Sequence, residues 1–81
     1  MTNREKLQKL IEDVFLLAPS EFSFDLRRSE VETWDSFGVV SLAVGVHQTF
    51  GYHFTAEEAN RIQGVGDILE VLASKGISFD A

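Results

Sequence analysis

The sequence contains no cysteine. A disulfide framework, a thiolate nucleophile and a zinc knuckle are thereby excluded. Basic residues are scarce, with seven Lys and Arg against thirteen Asp and Glu and a formal net charge of −6. Such a chain is repelled by phosphate backbones and anionic membranes, so nucleic-acid binding is not expected. Long apolar runs are also missing. The longest apolar-rich stretch, residues 37–46, falls far short of the roughly 20 residues of a membrane span. The opening "MTNREKLQKL" is charged and lacks the apolar centre of a signal peptide. A soluble, cytoplasmic protein without membrane insertion, and a monomer, is the expectation.

What is present is 81 residues, 44% of them hydrophobic, which fits one small domain spanning residues 1–81. A chain of this size buries only about 60% of its unfolded surface, so its core is thin. It has no room for both a deep cleft and a catalytic scaffold. A binding or carrier role is favoured over a free-standing enzyme.

Leu7, Leu10, Ile11, Val14 and Phe15 recur at helical spacing over residues 3–17. Thr2 and Glu5 stand at capping-box spacing before that stripe, and the single proline, Pro19, marks its end. Between 18 and 34, Phe22, Phe24 and Leu26 alternate with polar residues, and so do Phe50, Tyr52 and Phe54. A short two-stranded pairing would produce that pattern, but so small a sheet is marginal. A long connecting loop whose aromatic side chains plug the end of a helical core is preferred.

Helical spacing returns from Ser36 to Phe50, with Val39, Leu42 and Val46 on one stripe and Val40, Ala43, Val44 and Phe50 beside it. Gly38 and Gly45 each cost about 1 kcal/mol against alanine in a helix, which points to close approach of another backbone or to simple tolerance. Thr55 and Glu58 form a second capping-box pair, opening a short helix through Arg61. Gly64 begins the last helix, with Val65, Ile68, Leu69 and Leu72 inward. Gly76 stands where a left-handed C-cap belongs, with Ile77 to make the accompanying contact. The expected fold is all-α: three main helices, one short helix, and a long loop between the first and second.

Asp35 suits the N-cap of the second helix and Ser36 its first position, where the helix dipole and free amides favour an anion. Three roles compete for Ser36: a plain helix-start residue, a nucleophile, or an attachment point. A nucleophile needs a base, yet His47 lies roughly 16 Å along the same helix by its rise and His53 in the loop beyond. No G-x-S-x-G elbow surrounds the serine. The histidines read as surface residues, and no metal site is expected. A carrier serine, modified once by another enzyme, requires exposure and a helix N-terminus but no base.

The stretch "DSFGVVSLAVGVHQTFGYHFTAEEANRIQGVGDILEVL" resembles the acyl carrier protein family. Its Asp-Ser pair, helical valines and leucines, helix-end phenylalanine, Glu-Glu short helix, isoleucine and valine-led final helix follow the family pattern. They stand here at Asp35-Ser36-Phe37, Val40, Leu42, Val46, Phe50, Glu57-Glu58, Ile62 and Val65. The first helix fits as well, and the likeness is weakest over 18–33. The resemblance implies a non-enzymatic carrier whose Ser36 bears 4'-phosphopantetheine drawn from coenzyme A, a phosphoprotein holding acyl groups as thioesters. It implies as partners a phosphopantetheinyl transferase, an acyl- or aminoacyl-activating ligase, and an acyltransferase or modifying enzyme. Trp34, Phe37, Val40, Glu57 and Glu58 are the expected partner contacts, and the apolar face around Val40, Val44 and Val46 is either core packing or the lining of an acyl site.

The chain also departs from the pattern. Carriers of fatty acid biosynthesis usually have an acid-rich second helix, whereas residues 36–50 contain no Asp, Glu, Lys or Arg. "VETW" replaces the common Asp-Leu-Gly stretch before the serine, and Trp34 there is similar to stand-alone carriers of specialised lipid, polysaccharide or secondary-metabolite pathways. "DSFG" also resembles D-alanyl carrier proteins, which hold an amino acid. An unmodified helical interaction module is the competitor from another class.

Overall fold

The computed structural model describes residues 2–79. Helix α1 spans Asn3–Phe15, α2 Ser36–Phe50, α3 Ala56–Arg61 and α4 Val65–Ser74. No strand occurs among the described residues; two 3₁₀ turns, Pro19–Glu21 and Arg28–Glu30, break the long α1–α2 loop. The expected all-α architecture is what the chain adopts.

Both capping boxes close in both directions. The Glu5 N–H donates to Thr2 Oγ1 at 3.1 Å while the Thr2 N–H donates to Glu5 Oε1 at 3.0 Å. Thr55 and Glu58 repeat the arrangement at 3.1 and 3.0 Å. Each box satisfies two donors that a helix start would otherwise leave open. At the far end of α4, Gly76 takes φ +88°. The Ile77 N–H reaches the Leu72 carbonyl and the Gly76 N–H the Ala73 carbonyl, both at 3.1 Å. That is the Schellman pattern expected of Gly76 and Ile77.

The end of α1 corrects the sequence expectation. It stops at Phe15, two residues short of 17, and Pro19 is not what stops it. Leu16 turns left-handed at φ 57°, and the Leu17 N–H bonds back to the Glu12 carbonyl at 2.9 Å. A left-handed leucine costs roughly 1–2 kcal/mol. The tertiary structure offsets that cost by catching the helix end from outside: Thr33 Oγ1 donates to the Phe15 carbonyl at 2.9 Å. Pro19 instead opens the first 3₁₀ turn, where its fixed φ is an advantage.

The core is a set of helical stripes meeting face to face: Leu7, Ile11 and Phe15 from α1, Val39, Leu42 and Val46 from α2, and Val65, Ile68 and Leu72 from α4. The loop adds Val31 and Trp34, the segment after α2 adds Phe54, and the C-terminal segment adds Phe79. Phe22, Phe24 and Leu26 pack half-buried against this cluster, as the plugging role requires. They do not pair with residues 50–54. The loop's one ladder contact is an isolated antiparallel bridge between Arg27 and Gly64, flanked by bonds from the Arg28 N–H to the Gln63 carbonyl (2.8 Å) and from the Val65 N–H to the Leu26 carbonyl (2.9 Å). The loop is thereby fastened to the start of α4. Alternation alone cannot show such a bridge, because its bonds are made by backbone groups.

The two helical glycines differ. A Cβ on Gly38 would stand 2.5 Å from the Thr33 carbonyl oxygen and 2.9 Å from the Phe15 ring, so here a backbone does approach closely. A Cβ on Gly45 would meet only the end of the flexible Leu10 side chain. Gly38→Ala is therefore expected to lower stability by about 1–3 kcal/mol through overpacking, despite the gain in helix propensity. Gly45→Ala is expected to cost clearly less, because a Leu10 rotamer change relieves the contact and propensity contributes about 1 kcal/mol the other way. Urea unfolding of the two variants measures the difference, and equal losses would refute the distinction.

Candidate functional site

The start of α2 is built from three directions. Asp35 is its N-cap, with the carboxylate accepting from the Gly38 N–H at 2.9 Å. The Asp35 carbonyl takes the Val39 N–H at 2.9 Å. Behind this turn, Trp34 stacks on Phe15 with ring centroids 4.7 Å apart, and Gly38 fits beneath the Thr33 carbonyl. Ser36 is thus the first residue of a helix whose base is anchored in the core. It is itself exposed. Its hydroxyl has no hydrogen-bond partner among the described residues, and neither do the N–H groups of Ser36 and Phe37. An exposed hydroxyl beside unpaired amides at a helix start is suited to bearing an anionic group.

A groove of about 570 Å³ runs from this serine between α2 and α3. Ser36, Val40, Ala43 and Val44 line one side, with Ala59 and His53 contributed from α3 and the preceding loop. Arg28 lines it too, held by a bond from its Nε to the Trp34 carbonyl at 2.9 Å. Another hollow, of about 590 Å³, lies between Arg4, α4 and the C-terminal segment and shares no lining residue with this groove.

The expected contact residues separate into two groups. Phe37, Val40 and Val44 are 80%, 61% and 51% exposed, an apolar surface stripe starting beside Ser36. Core packing, the simpler role for Val40 and Val44, is thereby overturned: they face the groove, while Val46 is fully buried. Trp34 requires the opposite correction. It is 3% exposed, so its ring has no face to present to a partner. Its indole N–H has no partner among the described residues, a cost of about 1–3 kcal/mol set against burial of the largest side-chain type and its stacking on Phe15.

Glu57 and Glu58 differ as well. Glu57 is exposed and pairs with Arg61 at 2.6 Å one turn along α3, a contact of little energetic weight in water. Glu58 is tied inward: it closes the α3 capping box and accepts from the Tyr52 hydroxyl. Tyr52 in turn lies under the Lys75 ammonium, 5.6 Å from the ring centre. The Tyr52 hydrogen bond, then the Thr55 backbone amide, holds the Glu58 carboxyl below its usual range, and the same bond raises the Tyr52 phenol. Sequence reasoning missed this link, since nothing local marks a tyrosine as the partner of a capping glutamate.

The turn after α2 folds His53 into the wall of the groove that Ser36 also lines. Its ring lies 5.2 Å from that of His47. No hydrogen bond joins Ser36 to either histidine among the described residues. No group of three or more metal-ligating side chains occurs among the described residues, and no helix there is long and apolar enough to cross a membrane.

No protein-family model matches the chain. Among curated proteins it is similar to an acyl carrier protein from Coprothermobacter proteolyticus, with 26% identity over 70 residues that cover 86% of this chain and 85% of that protein. The resemblance read from the motifs around Ser36 and the likeness of nearly the whole chain therefore agree.

The Tyr52–Glu58 bond has a measurable consequence. A depressed Glu58 pKa contributes stability that is present above the unfolded value, about pH 4.3, and lost as pH falls through the folded value. The raised Tyr52 pKa contributes stability present below about pH 10 and lost as pH rises through its folded value. In Tyr52→Phe, carboxyl-detected NMR is expected to show the Glu58 pKa moving up toward the ordinary value. An unchanged Glu58 titration would mean that the phenol is not what depresses it.

Proposed function

We propose that this chain is an acyl carrier whose Ser36 bears 4'-phosphopantetheine, and that it is not itself an enzyme. The observation that carries the proposal is the exposed, unpartnered Ser36 hydroxyl at the capped start of α2, opening onto a groove with an apolar side. The residues present suit the group: Ser36 as attachment point, Asp35 fixing the turn, and Val40, Ala43 and Val44 along the path a thread-like arm would follow. When attached, the arm supplies a terminal thiol that holds cargo as a thioester, which is why a chain without cysteine can serve thioester chemistry. The protein's own residues present the arm and exclude water along one side of it.

The uncharged α2 surface supports a particular kind of recognition. Phe37, Val40 and Val44 offer shape and apolar area where an acid-rich helix would offer long-range attraction. This supports service to a dedicated set of partners in a specialised lipid, polysaccharide or secondary-metabolite pathway over general fatty acid biosynthesis. The partners are then a phosphopantetheinyl transferase, an acyl- or aminoacyl-activating ligase and an acyltransferase or modifying enzyme, acting in the cytoplasm on a monomeric carrier. The polar groups of His53, Thr55 and Asn60 on the groove wall favour, as a second reading, an aminoacyl cargo such as D-alanine.

Incubation with coenzyme A and a broad-specificity phosphopantetheinyl transferase is expected to add the mass of one phosphopantetheine to the wild-type chain and nothing to Ser36→Ala. The variant is expected to unfold within about 0.5 kcal/mol of wild type, since the lost hydroxyl has no partner. Equal mass gains in both forms would place the attachment elsewhere. No gain in either would leave Ser36 a helix-start residue and the chain an interaction module.

A further inference from the structure

We infer that Arg28 is the positioning residue for the phosphodiester of the arm on Ser36, an inference that rests on the phosphopantetheine reading above. Arg28 belongs to the loop, eight positions before the serine, and the fold returns it to the wall of the groove that Ser36 also lines. It is tethered twice: its backbone N–H donates to the Gln63 carbonyl at 2.8 Å, and its side-chain Nε to the Trp34 carbonyl at 2.9 Å. The second bond fixes the guanidinium plane against the backbone segment that leads directly into Asp35 and Ser36. Both terminal nitrogens are left without a protein partner among the described residues.

That state needs explaining in a chain with thirteen acids and seven bases. Glu30, Glu32 and Asp35 are close in sequence, yet none forms an ion pair with Arg28. Asp35 is occupied with the Gly38 amide, and Glu30 with the Arg27 N–H at 2.9 Å. The one ion pair among the described residues joins Glu57 to Arg61. A half-buried guanidinium, oriented through Nε and open at its two terminal nitrogens, presents the fork that matches two phosphate oxygens. The ligand of matching charge and shape is the phosphodiester that modification places on Ser36. Bound there, it is held at the effective concentration of a covalent tether, so even a modest contact is populated. Fixing the phosphate fixes where the arm begins and directs it into the groove between α2 and α3 rather than into solvent. The apolar side of the groove then receives the uncharged remainder of the arm.

The test compares apo and modified protein in wild type, Arg28→Gln and Arg28→Lys. Wild type is expected to gain thermal stability on modification. In Arg28→Gln that gain is expected to fall to about half or less, because the charge-assisted pair is gone. Arg28→Lys, which keeps charge but loses the Nε tether and the fork, is expected to lie between them. A purely structural role for Arg28 lowers apo and modified forms together and leaves the gain unchanged, which overturns the inference. A measurement that needs no variant accompanies it: guanidinium NMR of wild type, where the Arg28 terminal N–H signals are expected to shift downfield and exchange more slowly after modification. Unmoved signals overturn the inference even if both variants fail to fold. Failure of the functional reading is distinguishable, since wild type then gains no mass, and the inference falls with it.

Discussion

The site depends on one close approach. The first turn of α2 passes so near the Thr33 carbonyl and the Phe15 ring that only hydrogen fits on the α-carbon of Gly38. Thr33 also caps the end of α1 through the Phe15 carbonyl, and Trp34 covers Phe15 from the other side. The end of one helix and the start of the next are therefore one packed corner. Ser36 projects from that corner between exposed Asp35 and Phe37, while Trp34, Gly38 and Val39 beneath it are buried, so its backbone is anchored in the core although its hydroxyl is exposed. A left-handed Leu16 is the strain this junction tolerates.

The long loop contributes more than its lack of regular structure suggests. It inserts Val31 and Trp34 into the core, pairs its middle with the start of α4, and uses the Arg28 side chain to hold the Trp34 carbonyl. Those contacts close a circuit from α1 through the loop to α4 and back to α2. In a domain with so thin a core, backbone hydrogen bonds made by a loop substitute for area that a larger protein would bury. The groove follows from the same arrangement, because α3 is short and has no buried residue of its own. Ile62, buried just after it, and the Tyr52–Glu58 bond hold it beside α2, and the groove lies between the two helices.

The surface of α2 expresses a second constraint. A helix whose inner stripe is Val39, Leu42 and Val46 would ordinarily carry charge on its outer face. Here that face is Phe37, Val40 and Val44, in a protein that is otherwise acidic. Leaving large apolar groups in water beside Ser36 is unfavourable for the isolated chain, which is what makes this stripe stand out from the rest of the surface.

The sequence by itself determined the helices and their order. Local signals decide those: two capping boxes, an Asp N-cap, a left-handed glycine and apolar stripes of helical period. It also singled out Ser36, because an Asp-Ser pair opening an apolar helix is a local pattern, and the family likeness rests on the same residues. The tertiary structure alone decided which apolar residues are core and which are surface. Period places Val40 and Val44 beside Val39 and Leu42, but only the packing of α3 and its preceding loop against α2 leaves them lining a groove. It alone decided that Trp34 is buried, that α1 ends at a left-handed leucine, that His53 joins the groove wall, and that Arg28 returns to Ser36. Each of these depends on contacts between residues far apart in the chain or on backbone groups without sequence identity, and no local pattern encodes either.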